Sequence, residues 1–454
     1  MAQAVQQAFL LCGGGSRRLG YPKEMVRVDG RTLAEALVER LGRVVANVSV
    51  ISNNPAYLEH LLSVPIYQDV YPGLGPLAGI HAGLSHVEGE GALFLACDMA
   101  LMTEAALRHM VEAAAESGEE AVVARGPGGP EPLLAVYRTT LLPDIEARLQ
   151  AGDDLSAISF LAAEGAEYVD FGRSEAAIFR DIDQPADLPL LRSAFAEVEP
   201  LPVTNWPMAR IGRAQLEQDV VVLEAPFALE VNGVHLATLP CLPNALRELT
   251  VGYLAYLGLI RSAAEAGDIQ VDYEGGRIAV TGAQVSEQDL RSAFRLELSS
   301  APGAVGAPLS EEPAPLTGSV RVHVDFILDC VRRLRDMAPV FARTGATHQA
   351  AFISAERVLH FDEDVGRHNA IDKVVGRCLM RGTDMTRGAL LATGRLNAQM
   401  VAKALRMRVP IVVSRSAPTS AALELARRHG MTVVGFARGR RLNVYTGPER
   451  IIGD

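Results

Sequence analysis

Cysteine is scarce and poorly spaced for structural chemistry: five thiols, Cys12, Cys97, Cys241, Cys330 and Cys378, are scattered over 454 residues. No two stand at a Cys-x-x-Cys spacing, which argues against a structural zinc site. An odd count, in a chain expected to be cytoplasmic, also argues against a disulfide framework. Most of these cysteines read as small buried hydrophobes. Basic charge is in deficit as well, with 43 Lys and Arg against 54 Asp and Glu, a formal net charge of −11. Such a balance disfavours nucleic acid as a partner, because binding a phosphate backbone needs a surplus of cations. Long apolar runs are missing too. GALFLACDMALM carries Asp98 in its middle, and no uninterrupted stretch approaches the roughly 20 residues of a membrane span. The N-terminus MAQAVQQAFLLCGGG lacks the basic start of a secretory signal and breaks into glycine, so it reads as a strand in a cytoplasmic protein.

What remains is ordinary globular material, 49% apolar and 21% charged. The length exceeds a single hydrophobic core, which seldom grows beyond roughly 250 to 300 residues, so two domains are expected. Through the first 190 residues the strand-like runs AFLL, VSVIS, ALFLAC and AVVAR alternate with amphipathic stretches. That alternation predicts an α/β domain with a mainly parallel sheet over residues 1–195. Pro200, Pro202 and Pro207 then interrupt the pattern, and residues 196–206 read as an extended linker. The second domain, 207–454, opens with strand-like VVVLEAPFALEVNG and helical LRELTVGYLAYLGLI. It passes through a loop rich in Gly, Pro, Ser and Ala, SSAPGAVGAPLSEEPAPLTGS, and resumes α/β patterning at VDFILDC.

Chemistry concentrates first in CGGGSRRLGYPK, a glycine-rich turn after a strand, followed by Arg17, Arg18 and Lys23. Glycines let backbone N–H groups approach phosphates closely, and the cations neutralise them. Tyr21 stands after Gly20 where a P-loop needs Lys, and GxGxxG is not met, so the loop belongs to neither common type. Asp98 ends the strand LFLAC, which places its carboxylate at the edge of an open α/β sheet where ligands bind. A lone carboxylate there is enough for Mg²⁺, which takes its other oxygens from phosphates and water. Asp69, after VPIYQ, is a second candidate at that edge. Asp183 in DIDQPADL reads as a helix cap, with Pro185 in the first turn.

The strings LCGGGSRRLGYPK, GPLAGIHAGL, LACD, EPLLAVY and DIDQPADL together resemble the molybdenum cofactor guanylyltransferase (MobA) family over nearly all of residues 7–192. The resemblance implies a Rossmann-like nucleotidyltransferase fold that transfers GMP from GTP to molybdopterin. It implies GTP bound by Leu11, Cys12, Gly13 and Lys23, Asp69 near the guanosine, Mg²⁺ on Asp98, and Lys23 and Asp98 as the catalytic pair. Three departures bear on specificity. Cys12 stands where the family usually has Ala, Met99 to Leu101 replace the residues around its usual proline, and Ile51 or Ser52 takes the place of a guanosine-contacting Asn, with Asn53 just beyond. A cytidylyl or sugar-phosphate transferase activity therefore stays open.

A second concentration is EDVGRHNAIDKVVG, Glu363 to Gly376, two acids followed by Arg367, His368, Asn369, Asp372 and Lys373 within about three helical turns. It reads as a capped, salt-bridged helix start, and His368 has no histidine at i+4 or i−4, so no metal is assigned. GFARGRRLNVYTGPERI is more pointed. Phe436, Ala437, Arg438, Gly439, Arg440 and Arg441 set three guanidiniums and a glycine beside an aromatic ring, suited to bidentate phosphate contacts and to stacking on a purine or pterin.

These strings, with RTGATHQAAF, ATGRLNAQMVAKA, VSRSAPTSAALELA and LEVNGVHLATLPCLPNALRELTVGYLAYLGLI, resemble the formate dehydrogenase accessory (FdhD) family over about residues 207–454. That implies a cytidine-deaminase-like α/β core without its zinc, binding the bis-guanylated molybdenum cofactor through Phe436 to Arg441. Formate dehydrogenase or a related molybdoenzyme would be the client, and a cysteine desulfurase a further partner. The family carries persulfide sulfur on a CGxCG-like loop after a Ser-Ser pair. Here Ser299 and Ser300 are followed by APGAVG, with Pro302 and Val305 in the cysteine places. Neither side chain can form the thiolate a persulfide needs. Cys330 is the nearest thiol in sequence, and it reads as buried. The expectation is thus a nucleotidyltransferase fused to a cofactor-binding domain that has lost sulfur transfer. A cofactor chaperone without transferase activity is the alternative.

Overall fold

The structure is a computed structural model that describes residues 5–13, 16, 18–152, 154–209, 216–299, 314–318 and 320–453. Pro302 and Val305 lie outside the described residues, as do Gly14, Gly15 and Arg17. The chain divides into two compact units, Met1–Glu199 and Pro200–Asp454.

The first unit is built on β1 (Gln7–Cys12), α1 (Leu33–Gly42), β2 (Asn47–Ser52), β3 (Ile66–Tyr67), α2 (Pro76–Leu84), β4 (Gly91–Ala96), α3 (Glu104–Glu116), β5 (Ala121–Gly126), β6 (Gly129–Arg138), α4 (Leu142–Ala151), α5 (Ala157–Glu164) and β7 (Glu167–Asp170). Its seven strands run in the order β3-β2-β1-β4-β6-β5-β7. They are parallel throughout except where β6 pairs antiparallel with both β4 and β5. The mainly parallel sheet is therefore present, with EPLLAVY as an antiparallel insertion. Central β1 is apolar and fully buried at Ala8, Phe9 and Leu10, as a strand covered on both faces should be. Helix starts follow local chemistry. Thr32 and Glu35 form a reciprocal capping box on α1, and the Thr103 side chain accepts from the Ala106 N–H on α3.

The residues read as a linker are ordered. Val198 bridges Val28, and Glu199 holds buried Arg27 at 3.1 Å. From Val203 the chain enters β8 (Val203–Ala209), which pairs antiparallel with β9 (Leu216–Val222). The prolines keep this segment extended, as expected, but a partner strand takes up its backbone groups.

In the second unit β10 (Ala225–Val231), β11 (Val234–Cys241), β12 (Asp268–Asp272) and β13 (Arg277–Thr281) form a four-stranded sheet ordered β11-β10-β13-β12, with α6 (Leu246–Leu257) following β11. After α7 (Glu287–Ser299) come α8 (Val324–Asp336) and α9 (Pro339–Thr344). A six-stranded sheet follows, from β14 (His348–Ile353), β15 (Val358–Asp364), β16 (Ala389–Ala392), β17 (Ile411–Ser414), β18 (Thr432–Arg438) and β19 (Arg441–Thr446), in the order β15-β14-β16-β17-β18-β19. The helices α10 (Arg367–Met380), α11 (Ala398–Arg406) and α12 (Ser420–Arg428) connect its strands. β16, β17 and β18 are mutually parallel and the outer pairings antiparallel.

α6 and α10 pack backbone to backbone. A Cβ added at Gly252 would lie 1.9 Å from the Asp372 carbonyl oxygen, and one at Gly376 1.9 Å from that of Glu248. This close crossing surrounds a buried ionic set. Lys373, wholly buried, holds the equally buried Asp364 at 2.7 Å and donates to Asn244 Oδ1 at 3.0 Å. Lys403 reaches Asp372 at 2.6 Å, and Arg377 reaches Asp362 at 2.6 Å and Glu248 at 3.3 Å. Asp364 was read as a helix-start acid. Its Oδ1 does accept from the Gly366 N–H, while Oδ2 takes the lysine and the Leu242 N–H. Burial alone would pull the Lys373 pKa down; Asp364 and Asp362 more than offset this, and the net shift is upward. Removing one partner of such a pair leaves a bare buried charge. Lys373→Met is expected to cost ~3–5 kcal/mol in urea unfolding, and adding Asp364→Asn should recover much of it. A loss below 1 kcal/mol would show that the pair does not hold this crossing together.

Candidate functional site

Parallel register decides where the first unit's chemistry lies. Cys12 is level with Ser52, Leu11 with Ala96, and Ile51 with Tyr67. The residues just past β1, β2, β3 and β4 are therefore Gly13, Asn53, Asp69 and Asp98, all at the carboxyl edge of one sheet. They line a cavity of about 460 Å³ together with Leu11, Cys12 and Lys23. The six residues expected to hold GTP and Mg²⁺, Leu11, Cys12, Gly13, Lys23, Asp69 and Asp98, thus border one pocket.

Lys23, on a short turn of helix after the glycine loop, carries the central charge. Its Nζ donates to Asp98 Oδ2 at 3.0 Å and to Asp183 Oδ1 at 2.5 Å. Partial burial lowers the lysine pKa, but the two carboxylates outweigh it and the net shift is upward, so the ammonium stays charged. Arg18, well exposed, approaches Asp183 Oδ2 at 3.6 Å. Asp183 is a correction to the sequence reading. It does not cap the helix that follows: the N-cap is Gln184, and the Asp187 carboxylate reaches back from the third helical position to accept from the N–H groups of Asp183 at 3.0 Å and Gln184 at 2.9 Å. The Asp183 carboxylate is thereby left for Lys23. The local pattern of Asp before Pro suits a cap equally well, and the long-range partner was invisible in it.

Asn53 was noted only as lying beyond the expected place, yet it borders the pocket and is locked to Asp69. Its Nδ2 donates to Asp69 Oδ2 at 2.8 Å, and its Oδ1 accepts the Asp69 N–H at 3.2 Å. The reciprocal pair fixes both polar groups on the pocket wall. Two more acids crowd Asp98. Glu131 is pushed up to about 7 by burial, then by the charges of Asp181 and Asp98. Asp181 is raised by burial, Asp98 and Asp183. Neither was singled out in the sequence, because EPLLAVY and DIDQPADL give no sign that their acids converge. The Cys12 thiol is pushed well up by its hydrogen bond with Cys97 and by burial, so it serves as a neutral wall of the pocket.

In the second unit, Phe436 to Arg441 form the β18–β19 hairpin. The Arg438 guanidinium lies 5.6 Å from the centre of the Phe436 ring, within cation–π range. Arg438, Arg440 and Arg441 are exposed and have no carboxylate partner among the described residues. Gly439, with φ 60°, makes the tight turn, and Ala437 is buried, so its methyl supports the hairpin and does not face outward. His368 is pushed down to about 3 by burial, then by Lys403, Arg367 and His348, and stays neutral. Cys330 lies in the middle of α8, fully buried, with its thiol raised to about 12 by burial. Cys241 and Cys378 are likewise buried and raised to about 12, burial coming first in each. Protonated thiols of this kind are inert nucleophiles.

Fold and pocket define a two-domain α/β protein whose first half is a nucleotidyltransferase domain. Residues 8–166 match the MobA-like NTP transferase domain, and residues 222–452 match the FdhD/NarQ family. The chain belongs to the FdhD/NarQ family and carries a MobA-like NTP transferase domain ahead of that part. A sulfur carrier protein FdhD from Geobacillus kaustophilus is 34% identical over 250 residues, covering 54% of this chain and 94% of its own. A crystal structure of a formate dehydrogenase accessory protein from Desulfotalea psychrophila is 32% identical, covers 55% of this chain and 98% of that one, and has a TM-score of 0.45. A molybdopterin-guanine dinucleotide biosynthesis protein A from Archaeoglobus fulgidus is 25% identical, covering 41% and 96%, with a TM-score of 0.36. The two domains support a role in molybdenum cofactor or formate dehydrogenase maturation. Among the described residues, no helix is long and apolar enough to cross a membrane.

The acid cluster makes a prediction about stability. Unfolded, Glu131 loses its proton near 4.5; folded, it keeps it to about 7. The folded state therefore binds more protons across that window, and stability falls as pH rises through it and stays lowered above. Glu131→Gln removes this penalty. Its melting temperature should exceed the parent's near pH 8 and converge with it as pH falls toward 4.5. A gain of equal size at both ends would show that charge crowding is not the cause.

Proposed function

We propose that the first domain transfers GMP from GTP to the terminal phosphate of molybdopterin, and that the second domain holds the guanylated cofactor for delivery to a molybdoenzyme such as formate dehydrogenase. The observation that carries the first half is Lys23 Nζ lying between Asp98 and Asp183, beside a pocket walled by Leu11, Cys12, Gly13, Asn53 and Asp69. The two carboxylates already converge on one cation, and their hard oxygens suit Mg²⁺. Asp98 and Asp183 would hold the ion, which supplies charge neutralisation for the α-phosphate and the departing pyrophosphate.

The protein's own groups account for the rest. A phosphomonoester with a second pKa of about 6 is already largely ionised near neutral pH, so the acceptor needs no general base. Gly13 offers backbone to the triphosphate, and the Lys23 ammonium stays charged to face the growing negative charge. Asn53, held by Asp69, presents amide and carboxylate edges to the nucleoside. Guanine displays adjacent N–H donors that the Asp69 carboxylate can accept, which favours GTP over CTP.

In the second domain the reading rests on Arg438, Arg440 and Arg441 beside Phe436. The curated relatives are named sulfur carrier proteins, but Pro302 and Val305 stand where that activity needs cysteines. Cys12, Cys241, Cys330 and Cys378 are buried, and burial helps hold each thiol protonated. We assign the domain cofactor binding without sulfur transfer. A cysteine desulfurase then has no role as its sulfur donor.

Pyrophosphate release from GTP, Mg²⁺ and molybdenum-loaded molybdopterin tests the transferase. Asp98→Ala and Asp183→Asn are each expected to slow it by about 100-fold or more while circular dichroism is unchanged. Near-normal turnover in either removes that residue from the mechanism, and faster turnover with CTP overturns the guanine assignment. Cyanolysable sulfur on the protein after incubation with a cysteine desulfurase would overturn the loss of sulfur transfer.

A further inference from the structure

Two thiols meet in the wall of the first unit's cavity. β1 and β4 are parallel neighbours in register, Phe9 level with Phe94 and Leu11 with Ala96. The ladder runs on by one step, since the Cys97 N–H donates to the Leu11 carbonyl at 3.1 Å. Cys12, the last residue of β1, and Cys97, the first after β4, therefore stand level on adjacent strands. Level residues of a sheet point to the same face, and the two thiols are hydrogen-bonded to one another. Both side chains line the cavity, with only 1% of Cys12 and 4% of Cys97 exposed.

Adjacent strands lie roughly 4.8 Å apart, inside the span of about 4.4–6.8 Å between the Cα atoms of a disulfide. The pair can therefore be joined with little movement of the backbone. Both thiols are free. The residue after each cysteine belongs to the site, Gly13 after Cys12 and Asp98 after Cys97. A covalent bond is shorter than the hydrogen bond it replaces, so closing it moves the chain just ahead of Gly13 and Asp98. The Lys23 ammonium, which donates to Asp98 at 3.0 Å, is tied to the same shift.

We propose that Cys12 and Cys97 are a redox pair whose disulfide weakens nucleotide binding in this cavity. The proposal rests on the first cavity being the nucleotide site, and it adds how that site is turned down. The oxidant is a small-molecule disulfide. Cys97, as the thiolate, attacks one of its sulfurs; the bond between those sulfurs breaks, and one small thiol leaves after taking up a proton. Cys12 then gives up its own proton and attacks the Cys97 sulfur of the mixed disulfide. The Cys12–Cys97 bond forms and the second small thiol leaves. Two protein thiols are oxidised, one small disulfide is reduced to two thiols, and the leaving groups carry off both protons. The order follows from the surroundings of Cys12, whose thiol is raised first by its hydrogen bond with Cys97 and second by burial. The first step removes the larger of these influences. A nucleotide in the cavity covers both thiols and blocks that step.

The test incubates the nucleotide-free full chain with hydroxyethyl disulfide, maps its thiols by peptide mass spectrometry, and measures affinity for GTP with Mg²⁺ by calorimetry before and after. One linked peptide pair, Cys12 with Cys97, should form, with Cys241, Cys330 and Cys378 left free. Excess GTP should slow the linkage and dithiothreitol should reverse it. The linked protein is expected to bind GTP more weakly by about tenfold or more, the worth of a single charged hydrogen bond, and reduction should restore the starting value. Cys97→Ser should show one affinity before and after treatment. Absence of the linkage, or a linked parent that binds GTP as tightly as the reduced one, overturns the proposal. If the reduced parent binds no GTP although the linkage forms, the nucleotide reading falls and the switch falls with it; the linkage distinguishes that result from a failure of the pair.

Discussion

The ammonium of Lys23 joins parts of the chain that are far apart in sequence, since Asp98 lies 75 residues away and Asp183 lies 160. Parallel strands bring the lysine and Asp98 to one edge, and the segment after β7 returns to add Asp183. Three charges in contact, two negative and one positive, leave a net deficit of positive charge, and Glu131 and Asp181 deepen it. Burial first, and that imbalance after it, raises the pKa values of both. A site poised in this way gains most when a further cation and a polyanion arrive together, which is how a metal–nucleotide complex presents itself.

The second unit shows the opposite arrangement. Its acids and bases are matched inside, around α6 and α10, whereas the hairpin arginines Arg438, Arg440 and Arg441 have no carboxylate partner among the described residues. Buried matched pairs position a scaffold; exposed unmatched ones wait for a ligand. The two units therefore place different charge at their sheet edges. One works through carboxylates and a single lysine, the other through guanidiniums.

Much of the first site was legible because its logic is local. An apolar run that ends in Asp98, or a strand that ends in glycines, announces a sheet edge without knowledge of the fold. The readings that failed or stopped short depended on register and on partners at long range. Asp183 looked like a cap because the same side chain suits both roles, and it was Gln184 that took the cap, with Asp187 reaching back to it. Asp364 looked like a helix-start acid because Lys373 was read as part of the same surface helix. The prolines at 200, 202 and 207 did forbid a helix, yet nothing in them revealed the hairpin partner at 216–222.

The glycine crossing of α6 and α10 has an evolutionary consequence. At Gly252 and Gly376 the backbones touch, so no larger residue fits without prying the helices apart. The hairpin arginines Arg438, Arg440 and Arg441, by contrast, are exposed around the β18–β19 turn. Mutational drift can therefore alter that surface while the crossing stays frozen.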